Sequence, residues 1–303
     1  MARAHRAVYE GHVTLLPLAA ASAPPHIPIL HAIILGITQG LSEFLPISSS
    51  GHLILVPELG HWRELTNDAA LNKTFDVALH VGTFVGAAWY FRHDLATYIS
   101  AAFRSLRARA ITTTDERIAW LLLVSAIPGA IVGALLNTVI EDNLGQPVLI
   151  GVMLIVFGGV LYWADHLPGD RHQDDFRLRD ALFMGGAQAI ALQPGVSRSG
   201  VTITMGRWLE FDRQAAARIS FLMSLPIIAG AGLYQGAKVM ADGGIPDGFV
   251  APFLWGMAAA AVSGFFAIFG LLKYVQTRTF TPFVIYRFVV GTLIIIVFAT
   301  GLR

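Results

Sequence analysis

Two polar breaks inside otherwise apolar sequence limit what this chain can fold into. The first runs from Gln39 to His52 as Gln-Gly-Leu-Ser-Glu-Phe-Leu-Pro-Ile-Ser-Ser-Ser-Gly-His. The second runs from Gln188 to Thr202 as Gln-Ala-Ile-Ala-Leu-Gln-Pro-Gly-Val-Ser-Arg-Ser-Gly-Val-Thr. Each sets serines and a glycine just after a proline, between apolar flanks. Lipid cannot satisfy the backbone groups that such a break frees. A break therefore persists in a membrane only where protein buries it or where it lines a wet cavity. Glu43 and Arg198 sit within these breaks, and an ionisable residue inside a membrane segment marks a site by default.

The membrane reading follows from composition. Of 303 residues, 55% are apolar and 14% charged, with a mean hydropathy of +0.62; a soluble domain carries about 25% charged residues. The chain reads as an all-α polytopic membrane protein. A formal net charge of +1 offers no bulk attraction to nucleic acid. With no cysteine, disulfides, thiolate chemistry and cysteine metal sites are excluded. At the N-terminus, Arg3 and Arg6 precede Leu15–Ala23, a short apolar run interrupted by Pro17 that resembles a weak signal peptide. Residues 1–28 are expected to be a disordered or misassigned extension, and no function is assigned to them.

A spanning helix needs about 20 mostly apolar residues. Residues 29–57 have the length but are broken at Pro46, which favours a hairpin that enters the membrane and returns. Full spans are expected over 75–91, 118–138, 147–164, 215–236, 250–272 and 282–302, and a second broken segment over 181–209. The connections at 61–73, 92–117, 139–146, 165–180, 241–248 and 273–281 read as loops. Those at 92–117, 165–180 and 273–281 are richest in Lys and Arg, which assigns them to the cytoplasmic side. All six spans then alternate, and both ends of the chain lie outside.

Gly36, Gln39, Ser48, Ser50 and Gly51 recur without a gap as Gly185, Gln188, Ser197, Ser199 and Gly200, an offset of 149 residues (Gly36 to Gly185). Each copy is a broken hairpin followed by three spans. Three is odd, so the second copy is inverted relative to the first, and the two hairpins enter from opposite sides with tips that can meet. The expected architecture is one membrane domain over 29–303, with repeat one at 29–164 and repeat two at 181–303, an arrangement that places a shared site between broken helices.

The residues in the breaks suggest chemistry. Gly195 and Gly200 let the backbone approach a ligand closely. Ser197 and Ser199 offer hydroxyls, and the planar Arg198 fork suits phosphate oxygens. A helix starting near Ser199 would add its free N–H groups and positive dipole end. The simpler alternative is a Ser/Gly packing turn with Arg198 reaching to the interface. Gln39 and Glu43, four apart, share one helix face and can hold a hard divalent cation such as Mg²⁺ or activate a water; an ion pair of Glu43 with Arg198 that only joins the repeats is the other reading. His52, beside Ser48, Ser49 and Ser50, has the chemistry of a general base, acid or nucleophile, or of a histidine bonded to a neighbouring helix. The latter reading is preferred for His80. Asp76 and Arg287 are further candidates for supporting groups.

The strings Gln39-x-x-x-Glu43-Phe-Leu-Pro-x-Ser-Ser-x-Gly-His52 and Pro194-Gly-x-Ser-Arg-Ser-Gly-x-Thr202 resemble the two signature motifs of the undecaprenyl-diphosphatase, or bacitracin-resistance, family. The similarity runs from about Ile29 to the C-terminus and includes Phe221-Leu-x-x-x-Pro226 and Ile285-Tyr-Arg-Phe288. The family carries Glu or Gln at the leading position; here it is Gln39, so a second carboxylate found in some members is missing. The resemblance implies a divalent-metal-dependent phosphatase, with Mg²⁺ or else Ca²⁺, in the bacterial plasma membrane and with its site open to the outer face. Its implied substrate is undecaprenyl diphosphate, and its product is the monophosphate carrier of cell-wall synthesis. It carries over Glu43, Ser49, His52 and Arg198 as the reactive set, Ser197, Ser199 and Thr202 beside Arg198 at the phosphate, and Gln39 with Glu43 at the metal. The nucleophile is left open between Ser49, activated by His52, and a water activated by Glu43. A lipid-phosphate transporter using the same pocket is the rival class. The sequence sets no oligomeric state, and a homodimer is one permitted assembly.

Overall fold

The computed structural model describes residues 27–62, 69–241, 243–245 and 248–300, with backbone alone for 69–70 and 137–143. The N-terminal extension lies almost wholly outside the described residues.

The first break forms where local chemistry demands it. Helix α1 (Ile29–Phe44) ends just before Leu45, because the residue ahead of a proline is pushed off helical geometry; Leu45 is extended at φ −64°, ψ 141°. Helix α2 (Ser49–Leu59) starts after Ser48 and packs against α1. Then come α3 (Ala69–Tyr90), α4 (Arg92–Ala108), α5 (Thr114–Asn143) and α6 (Pro147–Asp165). The second break joins α7 (Leu178–Ile190) to α8 (Arg198–Trp208) through a turn in which Gly195 takes φ 92°. Three long helices close the chain: α9 (Arg213–Ala241), α10 (Val250–Tyr274) and α11 (Thr281–Thr300). Among the described residues the only β pairing is a bridge between Arg171 and Phe211.

Among the described residues, five helices are long and apolar enough to cross a membrane: α5 over Thr114–Leu136, α6, α9, α10 and α11. Large apolar side chains such as Leu135, Leu254, Phe266 and Val289 point outward from them, as a lipid solvent requires. α3 has the length, 22 residues, but carries Lys73, Asp76 and His80 and is not among the five.

The expected loop at 92–117 is corrected: most of it is α4. Arginine count hid an amphipathic period, in which Tyr98, Ala101 and Ser105 face inward while Arg104 and Arg107 stay exposed. Lys73, expected in a loop, lies within α3.

Small residues set the closest helix approaches. A Cβ on Gly40 of α1 would collide with Ser263 Oγ and Ala260 O of α10. On the far side of the molecule Gly151 of α6 and Gly291 of α11 lie each against the other's carbonyl oxygen. Packing of this kind drives helix association where lipid removes the hydrophobic incentive. Gly40→Val is therefore expected to force α1 off α10 and to lower stability by about 1–3 kcal/mol, read as an earlier unfolding transition in detergent. At the ends of the bundle, Asp165 of α6 accepts from Arg213 Nε at 2.5 Å and from Phe280 N at 2.8 Å, tying α6 to the starts of α9 and α11.

Candidate active site

The two turns share one unusual backbone state. Ser48 sits at φ 71°, ψ 107° and Ser197 at φ 71°, ψ 113°. Non-glycine residues avoid positive φ, and holding one there costs about 1–3 kcal/mol. The effect is that a helix restarts at once after each turn, placing the N-termini of α2 and α8 at the tips. Ser197 Oγ caps α8 by accepting from Gly200 N at 3.2 Å.

The tips meet. Gly195 N donates to Ser50 Oγ at 3.1 Å, and Ser199 Oγ donates to Leu45 O at 3.0 Å. Phe44 packs edge-on against Phe221 of α9 with ring centres 5.5 Å apart. Between them lies a cavity of about 310 Å³. The first tip lines it with Glu43, Ser48, Ser49 and Ser50, and the second with Gln188, Ser197 and Arg198. α3 adds His80, and α9 adds Ile227, Ile228 and Ala231.

Glu43 is the hub. Its Oε2 accepts from Ser49 Oγ at 2.8 Å and from Gln39 Nε2 at 3.1 Å. Its Oε1 accepts from Arg198 Nη2 at 3.0 Å. His80 Nε2 stands 3.6 Å from Oε2, a small movement from hydrogen-bond range; its Nδ1 donates to Asp76 O at 2.8 Å.

Among the described residues, five buried side-chain polar atoms have no partner, and four of these belong to Gln39, Gln188 and Arg198. Buried polar groups are almost always bonded; Gln188 and Arg198 line the cavity and Gln39 is bonded to Glu43 beside it, so these atoms point to a ligand with both acceptor and donor or cationic character. Arg198 lines the cavity with Nε and Nη1 unpartnered, and a guanidinium fork matches phosphate oxygens. Two helix N-termini add positive dipole ends.

The structure thus gathers Glu43, Ser49, Ser197 and Arg198 at one cavity. It does not bring His52 there. His52 Nδ1 donates to Ser48 O at 2.7 Å, which leaves Nε2 to accept from Tyr286 OH at 2.7 Å. Both nitrogens are engaged away from Ser49, so His52 braces α2 against α11. Thr202 is also displaced from its expected place: its hydroxyl joins Arg198 O at 2.7 Å and Ser220 Oγ at 2.6 Å, fully buried beneath the turn. Ser199 lies behind the cavity wall, spent on Leu45 O. Three groups emerge that the sequence reading left aside. His80 faces the carboxylate, and its signal was a histidine one turn after Asp76 in an apolar helix. Gln188 lines the wall as the counterpart of Gln39 in the repeat. Tyr286 had only its place in the Ile285–Phe288 string as a signal; its bond to His52 comes from the fold.

The donor set suits a hard cation. Glu43 Oε1 keeps one lone pair after accepting from Arg198, and Gln39 Oε1, fully buried, has no partner. One carboxylate and one amide oxygen fit Mg²⁺, which keeps several waters and takes further oxygens from a phosphate substrate. Among the described residues no group of three or more His, Cys, Asp or Glu side chains converges, so a cation held by such side chains alone is not what this arrangement provides.

Fold and cavity together define a multi-pass helical membrane protein whose chamber sets Glu43, Arg198 and a group of serines among largely apolar walls. The profile of the bacitracin resistance protein BacA family matches residues 32–293, and the chain belongs to that family. It is 45% identical over 276 residues to the undecaprenyl-diphosphatase of Pelobacter propionicus, covering 90% of this chain and 98% of that protein. It is 47% identical over 265 residues to that of Geobacter sulfurreducens, covering 87% and 96%. With that of Hahella chejuensis the identity is 40% over 262 residues, covering 86% and 95%.

Proposed function

We propose that this chain hydrolyses undecaprenyl diphosphate to undecaprenyl phosphate and inorganic phosphate, returning the lipid carrier to cell-wall synthesis and giving bacitracin resistance. The observation that carries the reading is the buried Arg198 fork with two free N–H edges, set beside a serine already bonded to a carboxylate. The names of the relatives supply the lipid.

The mechanism follows from the bonds at Glu43. The diphosphate enters the chamber while its prenyl tail stays among the apolar side chains. Arg198 takes phosphate oxygens through Nε and Nη1, and its hold tightens as charge grows in the transition state. Ser49 Oγ attacks the terminal phosphorus, its proton passes to Glu43 Oε2, and the P–O bond to the prenyl monophosphate breaks. Once the first proton has left Glu43, water releases the phosphoryl group from Ser49: Glu43 takes a proton from that water and returns it to Ser49 Oγ as the P–O bond to the serine breaks. His80, facing the same oxygen, relays the proton outward. A divalent cation at Glu43 and Gln39 would neutralise charge on the diphosphate. Ser49 is preferred over water as the nucleophile because its hydroxyl already donates to the base. Glu43 replaces His52 as that base because His52 is committed elsewhere.

The finer architecture belongs to the same proposal. Residues 29–303 form one membrane domain of two inverted repeats, each a re-entrant hairpin plus three spans, with α3 as the sixth span. Support comes from the packing: α1 lies on α10 as α7 lies on α5, while α6 pairs with α11 and α3 with α9. Exchanging the repeats leaves that pattern unchanged. With the arginine-rich connections in the cytoplasm, α9 runs outward from Arg213. The cavity residues Ile227, Ile228 and Ala231 then fall at or beyond its midpoint, consistent with access from the outer face of the inner membrane. A homodimer remains one permitted assembly.

The test is phosphate release from a prenyl diphosphate by purified protein in detergent with Mg²⁺. Turnover is expected, lost on chelation, and reduced at least about 100-fold in Ser49→Ala. A brief incubation with substrate labelled in its terminal phosphate should leave label on the wild-type protein but not on Ser49→Ala. Turnover with full activity in Ser49→Ala would transfer the attack to water. No turnover at all, with lipid phosphate still moved across vesicles, would favour the transporter.

A further inference from the structure

Arg287 on α11 is fully buried, and among the described residues it forms no ion pair with a carboxylate. An isolated buried charge is strongly unfavourable, so its position needs a reason. Among the described residues, every hydrogen bond it makes is to a backbone carbonyl. Nη1 donates to Pro46 O at 3.4 Å in the first turn. Nη2 donates to Gly195 O at 3.2 Å and Val196 O at 3.0 Å in the second. Nε donates to Leu154 O of α6 at 3.0 Å. Room for the fork is built in: a Cβ on Gly200 would crowd Nη1, and Gly158 lies beside its stem.

We infer that Arg287 is a positioning residue for phosphate transfer, which locks the two turns into one surface and orients the Val196–Ser197 peptide toward the ligand. The inference rests on the hydrolase reading. A planar peptide points its N–H opposite to its C=O. With Val196 O held by Arg287, the Ser197 N–H points away from the guanidinium. Ser197 is also the residue at φ 71°, and such a conformation persists only when its surroundings over-determine it. The bond to Val196 O supplies part of that constraint, while the bond to Pro46 O fixes the first turn, and hence Ser49, relative to the second. The charge has a separate effect. No acid neutralises it, so its field reaches a chamber that receives an anion.

Geometry and charge can therefore be separated by kinetics. Arg287→Lys keeps a cation but cannot span four carbonyls on two turns. Its kcat is expected to fall about 10–100-fold with KM within about 3-fold of wild type. Arg287→Gln loses the charge as well, so KM should also rise, by about 10-fold or more. Both are measured per folded molecule, after size exclusion in detergent. Should Arg287→Lys not fold, Gly200→Ala crowds Nη1 while leaving the guanidinium in place, and it should show the same kcat loss. Wild-type kcat in Arg287→Lys or in folded Gly200→Ala would overturn the inference. So would variants that lose only folded yield, with unchanged constants in what remains. If wild type itself releases no phosphate from a prenyl diphosphate, the hydrolase reading falls instead.

Discussion

Glu43→Gln is expected to lower kcat by about 10²–10⁴-fold, the range that general-base removal produces. The amide keeps the shape and accepts from Ser49 through its oxygen, but it cannot take the proton from Ser49 Oγ. It also removes the anion that faces Arg198 at 3.0 Å. With the guanidinium freed, and with an amide oxygen still facing the cation at saturating Mg²⁺, KM should stay level or fall while kcat collapses. That split separates loss of a base from loss of a binding group. Steady-state rates at saturating prenyl diphosphate provide the check. A Glu43→Gln variant with near-wild-type kcat would leave Ser49 without a base and would sink the mechanism.

Arg198→Lys ranks second. Lysine preserves the charge but replaces a planar fork by a point donor. The two N–H groups without a protein partner, Nε and Nη1, are lost together. Removing one preorganised donor to a developing oxyanion typically costs about 10²–10³-fold in kcat, and a comparable loss is expected here. Arg198→Ala should be worse on both counts, because Glu43 is then buried without its cation, and breaking a buried pair destabilises by about 3–5 kcal/mol. Comparing kcat per folded molecule for the lysine and alanine variants isolates the catalytic part. If Arg198→Lys turns over like wild type, the guanidinium acts only as a counter-charge to Glu43, and the phosphate cradle must be sought elsewhere.

The helices were legible where one residue dictates its neighbours. Leu45–Pro46 ends α1, Pro147 opens α6, and the apolar runs at 118–138 and 282–302 became helices with ends only a few residues away. α4 was not legible because its arginines make the segment too polar for a span, although Tyr98, Ala101 and Ser105 keep a 3–4 residue inward period. At the site, the motif residues that met were those projecting from the tips. His52 and Thr202 stand within the same motifs, yet each is turned into the protein by a partner remote in the chain, Tyr286 and Ser220. His80, which looked like an ordinary membrane histidine, came to face Glu43.

The amino-acid sequence by itself determined a helical membrane protein with two broken segments, and it put forward an acid, a serine and a guanidinium that the structure sets around one cavity. Those are local properties: hydropathy, a proline's fixed φ, and a short string of side chains. Tertiary structure alone decided which hydroxyl the acid touches, that His52 is taken by a tyrosine 234 residues away, and that one buried arginine reaches both turns. A hydrogen bond is set by a few tenths of an ångström and a narrow range of angles. Between segments far apart in the chain, those values exist only once the helices have packed.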